Sequence, residues 1–184
     1  MMIYQKIIDK YYPQGSRLRE VLVSHSRQVA DLALEIAARL APELDPAMVE
    51  DAAMLHDIGI LRTDAPGIEC HGTEPYIRHG LVGAGILRAE GAPDEIVRVA
   101  ISHTGSGLTA DDIAQRNLPL PPGDYMPHSR LERLICYADK YYSKSRGARR
   151  KTLPEVRATM QRLGDSTLER FEELHREFGA GLPE

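Results

Sequence analysis

The sequence predicts an all-α fold, and three observations carry that reading. Apolar residues recur at steps of three and four along most of the 184 residues, the spacing that places a buried stripe on one side of a helix. No segment alternates apolar and polar residues at period two for long enough to read as a strand. Proline and glycine separate the periodic stretches, and each stretch has the length of a helix.

Taken in order, residues 2–12 form a short amphipathic helix closed by Pro13 and Gly15. Ser16 can cap the next helix, which runs to about Leu40 with a stripe of Leu18, Leu22, Val29, Leu32, Ile36 and Leu40. Pro42 and Pro46 punctuate, and a third helix extends from Ala47 to about Asp57 with Gly59 near its end. Residues 60–74 contain Pro66, Gly67 and Gly72 and read as a loop. Pro75 suits the first turn of a helix reaching about Glu90, which Gly91 stops. Another helix begins near Pro93, ends at about His103 and is broken by TGSGLT. A short helix near 109–116 leads into LPLPPGDYMP, and helices at about 129–143 and 152–178 complete the chain. The expectation is one domain, with a core at about 16–143 and a C-terminal helical extension at about 144–184.

Composition narrows the function. Apolar residues make up 42% of the chain, enough for a core, and the net charge of −4 gives no general attraction to nucleic acid. No apolar run approaches 18 residues, so no membrane span is expected, and the N-terminus lacks the marks of a secretory signal. Two cysteines without a CxxC pattern fit a reducing cytoplasm. The basic run KSRGARRK, Lys144 to Lys151, reads first as solvated surface and second as a phosphate-binding element.

The stripes hold residues that do not belong in an apolar core. His25 lies on the seam of the first long helix, and His56 shares a face with Val49 and Ala52. His79 lines up with Gly83 and Ile86, His103 with Ile96 and Ala100, and Asp139 with Leu131 and Ile135. Asp57 adjoins His56 in AMLHDIGIL, residues 53–61. One inward histidine is usually an ordinary hydrogen-bonded core residue. Five helices that each send a histidine or aspartate inward point instead to a shared metal site, because buried charge is normally paired or coordinated. Imidazole with carboxylate suits first-row transition metals. Six groups exceed the needs of one four-coordinate ion. The expectation is therefore two divalent ions bridged by Asp57, with His25, His56 and Asp139 on one and His79 and His103 on the other. A water ionised between two such ions would attack phosphorus, which makes Asp57 the candidate catalytic residue. Arg78, Thr104, Lys140, Lys144 and Arg146 are the candidate substrate-binding residues, with Ser106 as a further donor. His71 reads as a loop histidine, His128 as a structural or rim residue at the start of the last core helix, and His175 as exposed. Gly80, Gly83, Ala84 and Gly85 read as a surface for close helix approach.

The ordered set His25, His56-Asp57 and Asp139, with HDIG at 56–59, resembles the HD-domain superfamily of metal-dependent phosphohydrolases over roughly residues 16–143. RHGLVGAGILRAEG (78–91), ISHTGSGLT (101–109) and ICYADK (135–140) are similar to the subgroup with two extra histidines. That subgroup includes hydrolases of diadenosine tetraphosphate and small HDIG proteins of archaea and bacteria. The resemblance implies an all-α bundle and a dinuclear centre, iron or manganese first, with zinc, nickel, cobalt or magnesium as alternatives. It also implies hydrolysis of a nucleotide phosphoester or phosphoanhydride. The GYP element of the cyclic-dinucleotide phosphodiesterases is missing after His103. Two other classes stay open: a nucleotide-binding regulatory module without turnover, and a di-iron oxygenase. The expected partner is a small phosphate substrate, with no membrane or nucleic acid, and a homodimer is compatible with the sequence.

Overall fold

A computed structural model of the chain describes residues 2–145 and 149–182. The fold is built from helices α1 (Ile3–Tyr11), α2 (Arg17–Leu40), α3 (Pro46–Leu55), α4 (His79–Ala89), α5 (Asp94–Ser102), α6 (Ala110–Gln115), α7 (Arg130–Asp139), α8 (Leu153–Leu163) and α9 (Asp165–Phe178). The local chemistry explains where they start. The Ser16 hydroxyl accepts the Arg19 amide at the head of α2, and Asp45 with Pro46 opens α3. Reciprocal capping boxes start α6 (Thr109 with Asp112), α7 (Ser129 with Glu132) and α8 (Thr152 with Glu155).

One core joins these helices. Leu22, Val29 and Ile36 of α2 meet Val49, Ala52 and Ala53 of α3 and Leu134, Ile135 and Ala138 of α7, all buried. α5 packs Val99 and Ala100 between α3, α4 and α7. α9 lays Phe171, Leu174 and Phe178 against α7, and α8 pairs with α9. Among the described residues no helix is long and apolar enough to cross a membrane.

The all-α reading is borne out, with four local differences. The expected loop at 60–74 contains a 3₁₀ turn (Ile58–Arg62) and a small sheet of β1 (Thr63–Ala65), β2 (Cys70–His71) and β3 (Glu74–Pro75), in the order β2-β1-β3. β1 runs antiparallel to β2 and parallel to β3, with Asp64 opposite His71 and Thr63 opposite Glu74. Strands of two or three residues are too short to show a period. The helix expected from Pro75 starts at His79 after a 3₁₀ turn, Tyr76–Arg78. The last core helix ends at Asp139 instead of near 143. The single helix expected at 152–178 is two, because Gly164 takes φ 127°, a conformation closed to other residues.

Close helix approach is specific to certain glycines. A Cβ on Gly59 would overlap the His79 carbonyl and the Gly83 amide, so the HDIG turn lies directly on the first turns of α4. A Cβ on Gly80 would overlap the Ala100 carbonyl of α5. Gly85, expected to serve the same purpose, faces open space.

Candidate metal centre

Five of the six inward groups sit at or beside helix ends. His56 caps the C-terminus of α3, and Asp57 follows at φ −103°, ψ 11°, where the chain turns into the 3₁₀ segment. His79 opens α4, His103 caps the C-terminus of α5, and Asp139 is the last residue of α7. His25 alone projects from mid-helix, on α2. A helix end frees its terminal side chain from the stacking of the next turn, which lets separate rods converge on one point.

The carboxylate of Asp57, fully buried, stands at that point. Its Oδ2 lies 3.2 Å from His25 Nε2 and 3.0 Å from His56 Nε2, and His25 Nε2 is 3.0 Å from Asp139 Oδ1. Its Oδ1 lies 3.4 Å from Nε2 of both His79 and His103. The donor atoms form two groups, His25, His56, Asp57 and Asp139, and then Asp57, His79 and His103, with spacings within 4.8 Å in each. Asp57 belongs to both.

The tautomers follow from the backbone. Nδ1 of His56 points at the Ala53 carbonyl (2.6 Å), that of His79 at Tyr76 (2.7 Å) and that of His103 at Ala100 (3.0 Å). A carbonyl only accepts, so each Nδ1 carries a hydrogen, and in the neutral ring each Nε2 turns a lone pair inward. The Nε2 atoms of His79 and His103 then face one another at 2.9 Å with no hydrogen between them in the neutral state. His56 Nε2 and both oxygens of Asp57 are buried without a well-formed hydrogen bond among the described residues. Inward lone pairs on nitrogen and carboxylate oxygen are what a divalent transition-metal ion requires, so the residues present fit such ions.

Two lysines balance the negative charge of the centre. Lys144 Nζ lies 2.5 Å from Asp57 Oδ2, and Lys140 Nζ donates to Asp139 Oδ2 at 2.8 Å. Burial opposes charge on both aspartates, but His56 and Lys144 around Asp57, and Lys140 with the histidines around Asp139, hold both carboxyls well below the usual range. Burial likewise opposes charge on His56, yet Asp57 and Asp139 raise it to about 9. Burial pushes His79 down to about 3, with His103 and Lys144 adding to the effect against Asp57. His79 is thus neutral at ordinary pH, the form that ligates metal.

A cavity of about 500 Å³ opens onto the centre. His25, Asp139 and Lys144 form its polar floor, and Tyr76, Ile68 and Met160 contribute apolar walls. Tyr76 stacks on the His79 ring at 4.8 Å. Its position three residues before His79 was the available signal for it; Ile68 in the expected loop and Met160 on α8 gave none.

The expected substrate residues divide. Lys144 reaches both cavity and centre. Lys140 borders the cavity, but it is only 6% exposed and its ammonium is taken by Asp139 and the His103 carbonyl (2.8 Å), so it holds a carboxylate in place instead of meeting solvent at a rim. Arg78 is drawn to Glu74 at 3.1 Å and does not line the cavity. Thr104 lies in a turn where its carbonyl accepts the Gly107 amide, and it too is off the lining, as is Ser106, whose hydroxyl is turned to the Met160 sulfur. Arg146 lies outside the described residues. His71 is exposed, and exposed His128 precedes α7 and pairs with Asp124 at 2.9 Å. His175 is not exposed: its Nδ1 meets the Tyr137 hydroxyl at 2.9 Å and its ring stacks on Phe171.

Several known proteins resemble this chain. The chain is 31% identical over 173 residues to a tRNA (cytidine(56)-2'-O)-methyltransferase of Thermoplasma volcanium, covering 94% of this chain and 45% of that protein. It is 36% identical over 123 residues to an uncharacterised protein of Methanocaldococcus jannaschii, covering 65% of each. A methyltransferase of the same name from Picrophilus torridus is 31% identical, with 88% and 42% covered. The chain therefore spans less than two thirds of the length of each of these relatives. The HD domain of the phosphodiesterase PgpH from L. monocytogenes superposes with a TM-score of 0.54 at 17% identity, covering 95% of both chains. The same domain in complex with cyclic-di-AMP gives 0.55 at 16% identity, with 93% and 92% covered. At these identities the likeness speaks for the fold. The family model described as HD domain matches residues 22–143, from α2 to just past α7. That segment carries all six inward groups, and the chain belongs to the HD-domain family.

Proposed function

We propose that the protein is a metal-dependent phosphohydrolase that cleaves a phosphoester or phosphoanhydride of a nucleotide or dinucleoside polyphosphate. The observation that supports this most is the division of one buried carboxylate between two imidazole groups, with Asp57 Oδ2 facing His25 and His56 and Oδ1 facing His79 and His103. In this reading His25, His56, Asp57 and Asp139 hold one divalent ion, and Asp57, His79 and His103 hold a second. Two such ions, iron or manganese first and zinc, nickel, cobalt or magnesium as alternatives, would supply an acidified water and neutralise charge at phosphorus.

The protein's own groups do the rest. The carbonyls of Ala53, Tyr76 and Ala100 fix the ligand tautomers. Lys140 holds Asp139 in place by a charge-assisted hydrogen bond. Lys144, between Asp57 and the cavity, presents its ammonium to a phosphate oxygen. Tyr76, Ile68 and Met160 offer a surface on which a base can stack while the cavity excludes water from its apolar side. Met160 comes from α8, so the C-terminal helices belong to the same functional unit as the core, which favours one HD-type domain over the whole chain.

The test is a screen of protein reconstituted with Mn²⁺ or Fe²⁺ against nucleotides, dinucleoside polyphosphates and sugar phosphates, with Asp57→Ala as control. The expected result is phosphate or nucleotide release that the control lacks. Activity that survives Asp57→Ala would remove this mechanism.

A further inference from the structure

His25 borders a second, smaller chamber of about 240 Å³, which shares His25, Ser143 and Lys144 with the main cavity. The chambers differ in chemistry. The first has the aromatic and aliphatic wall already described. The second is walled by α2, where Ser24 and Gln28, four residues apart and so neighbours on the helix surface, line the chamber together with His25. Neither side chain makes a hydrogen bond to another group among the described residues, and Gln28 is half-buried. Arg17 and Glu20 also line this chamber and lie 3.7 Å apart, so their charges offset.

Resting on the phosphohydrolase reading, we propose that the scissile phosphorus lies where the two chambers meet, and that the second chamber receives the leaving arm of a nucleoside phosphodiester as an uncharged, hydroxyl-rich ribose. An amide and a hydroxyl each both donate and accept, which matches the paired hydroxyls of a ribose. An anionic arm would gain nothing net from the offset Arg17–Glu20 pair and would have only the shared Lys144 to favour it. The volume lies below the range of about 300–1,000 Å³ typical of pockets for drug-sized ligands, so the chamber takes the sugar of the leaving arm and leaves the base on that arm outside it. Hydrolysis balances with one water: its oxygen joins phosphorus, the P–O bond to the ribose arm breaks, and the ribose oxygen leaves with a proton. The substrate class is then a nucleoside phosphodiester, with one arm's base in the main cavity and the leaving arm's ribose in the polar one.

The test compares the dinucleoside monophosphate ApA with bis-p-nitrophenyl phosphate, a diester whose leaving arm has no hydroxyls to be recognised. In Mn²⁺-loaded protein, Gln28→Leu should lower the ratio of kcat/KM for ApA to that for bis-p-nitrophenyl phosphate about three- to tenfold, the effect of one lost neutral hydrogen bond. Ser24→Ala, at an exposed position, should lower it in the same direction. In metal-free protein, where nothing turns over, calorimetry should show Gln28→Leu weakening ApA more than AMP. An unmoved ratio in both variants, together with an unchanged Kd for ApA, overturns the chamber assignment. A lack of hydrolysis of either diester would overturn the hydrolytic reading separately, because the Kd comparison needs no turnover.

Discussion

Metal-dependent stability counts the ions and tests who shares them. An ion that binds only the folded state stabilises it by about 2.7 kcal/mol when its concentration is a hundred times its Kd. For a chain of this length each kcal/mol moves the melting temperature by roughly 2–4 °C. One occupied site should therefore raise Tm by roughly 5–11 °C over chelator-treated protein, and two sites by about twice that. The geometry fixes how the increments divide between variants. Asp57 faces both donor groups, so Asp57→Asn, which keeps the shape and removes the charge, should lose most of both increments. His79 belongs to one group, so His79→Ala should keep the increment that depends on His25, His56 and Asp139. The assay is scanning calorimetry of each variant after chelator treatment and again in saturating Mn²⁺. A full wild-type increment in Asp57→Asn would refute the shared carboxylate. A complete loss in His79→Ala would refute two separable sites.

Further expectations follow from single contacts. Tyr12, fully buried, donates to the Ile58 carbonyl at 2.8 Å and accepts the Leu61 amide at 3.2 Å, clamping the turn after Asp57; Tyr12→Phe should cost about 1–3 kcal/mol in urea unfolding, and a change within error would show that the clamp contributes nothing. Lys144→Met should lower kcat/KM for a nucleotide substrate by about tenfold or more, the effect of one charge-assisted hydrogen bond, and an undiminished value would remove Lys144 from the phosphate site. Asp112 is held below the usual carboxylate range: burial would raise it, but the Thr109 amide and hydroxyl and Arg170 outweigh burial. A lowered folded pKa means that its contribution is present above the unfolded value of about 3.9 and is lost as pH falls through the folded one. Asp112→Asn should therefore destabilise the protein at neutral pH and lose that effect in strong acid, as equilibrium unfolding at several pH values would register; a deficit that does not depend on pH would refute the charge argument.

The helices were legible because each needs only local chemistry and one stripe. Ser16, Asp45, Ser129 and Thr152 start their helices through hydrogen bonds made within three residues, and such signals are written in adjacent letters. The sheet at 63–75 was not legible for the opposite reason. Its parallel pair Thr63 with Glu74 depends on where the chain returns, and two-residue strands have no pattern of their own. Gly164 is intermediate: a glycine inside a helical pattern permits continuation or a break, and only its positive φ decides.

The centre could be read for a different reason. A histidine or aspartate on an apolar stripe is costly there unless something inside pairs with it, so each of the six positions carries its own inconsistency. The surrounding residues carry none. A lysine shortly after a candidate ligand reads the same whether its ammonium reaches into the cavity, as Lys144 does, or is spent on Asp139 and a backbone carbonyl, as Lys140 is. Both are long and flexible, both follow α7, and their difference arises from the chain having left the helix after Asp139. A continued helix to 143 would have set Lys140 and Lys144 one turn apart on one face. The early stop breaks that register, and it lets Lys144 reach back to Asp57 while Lys140 stays under the His103 turn.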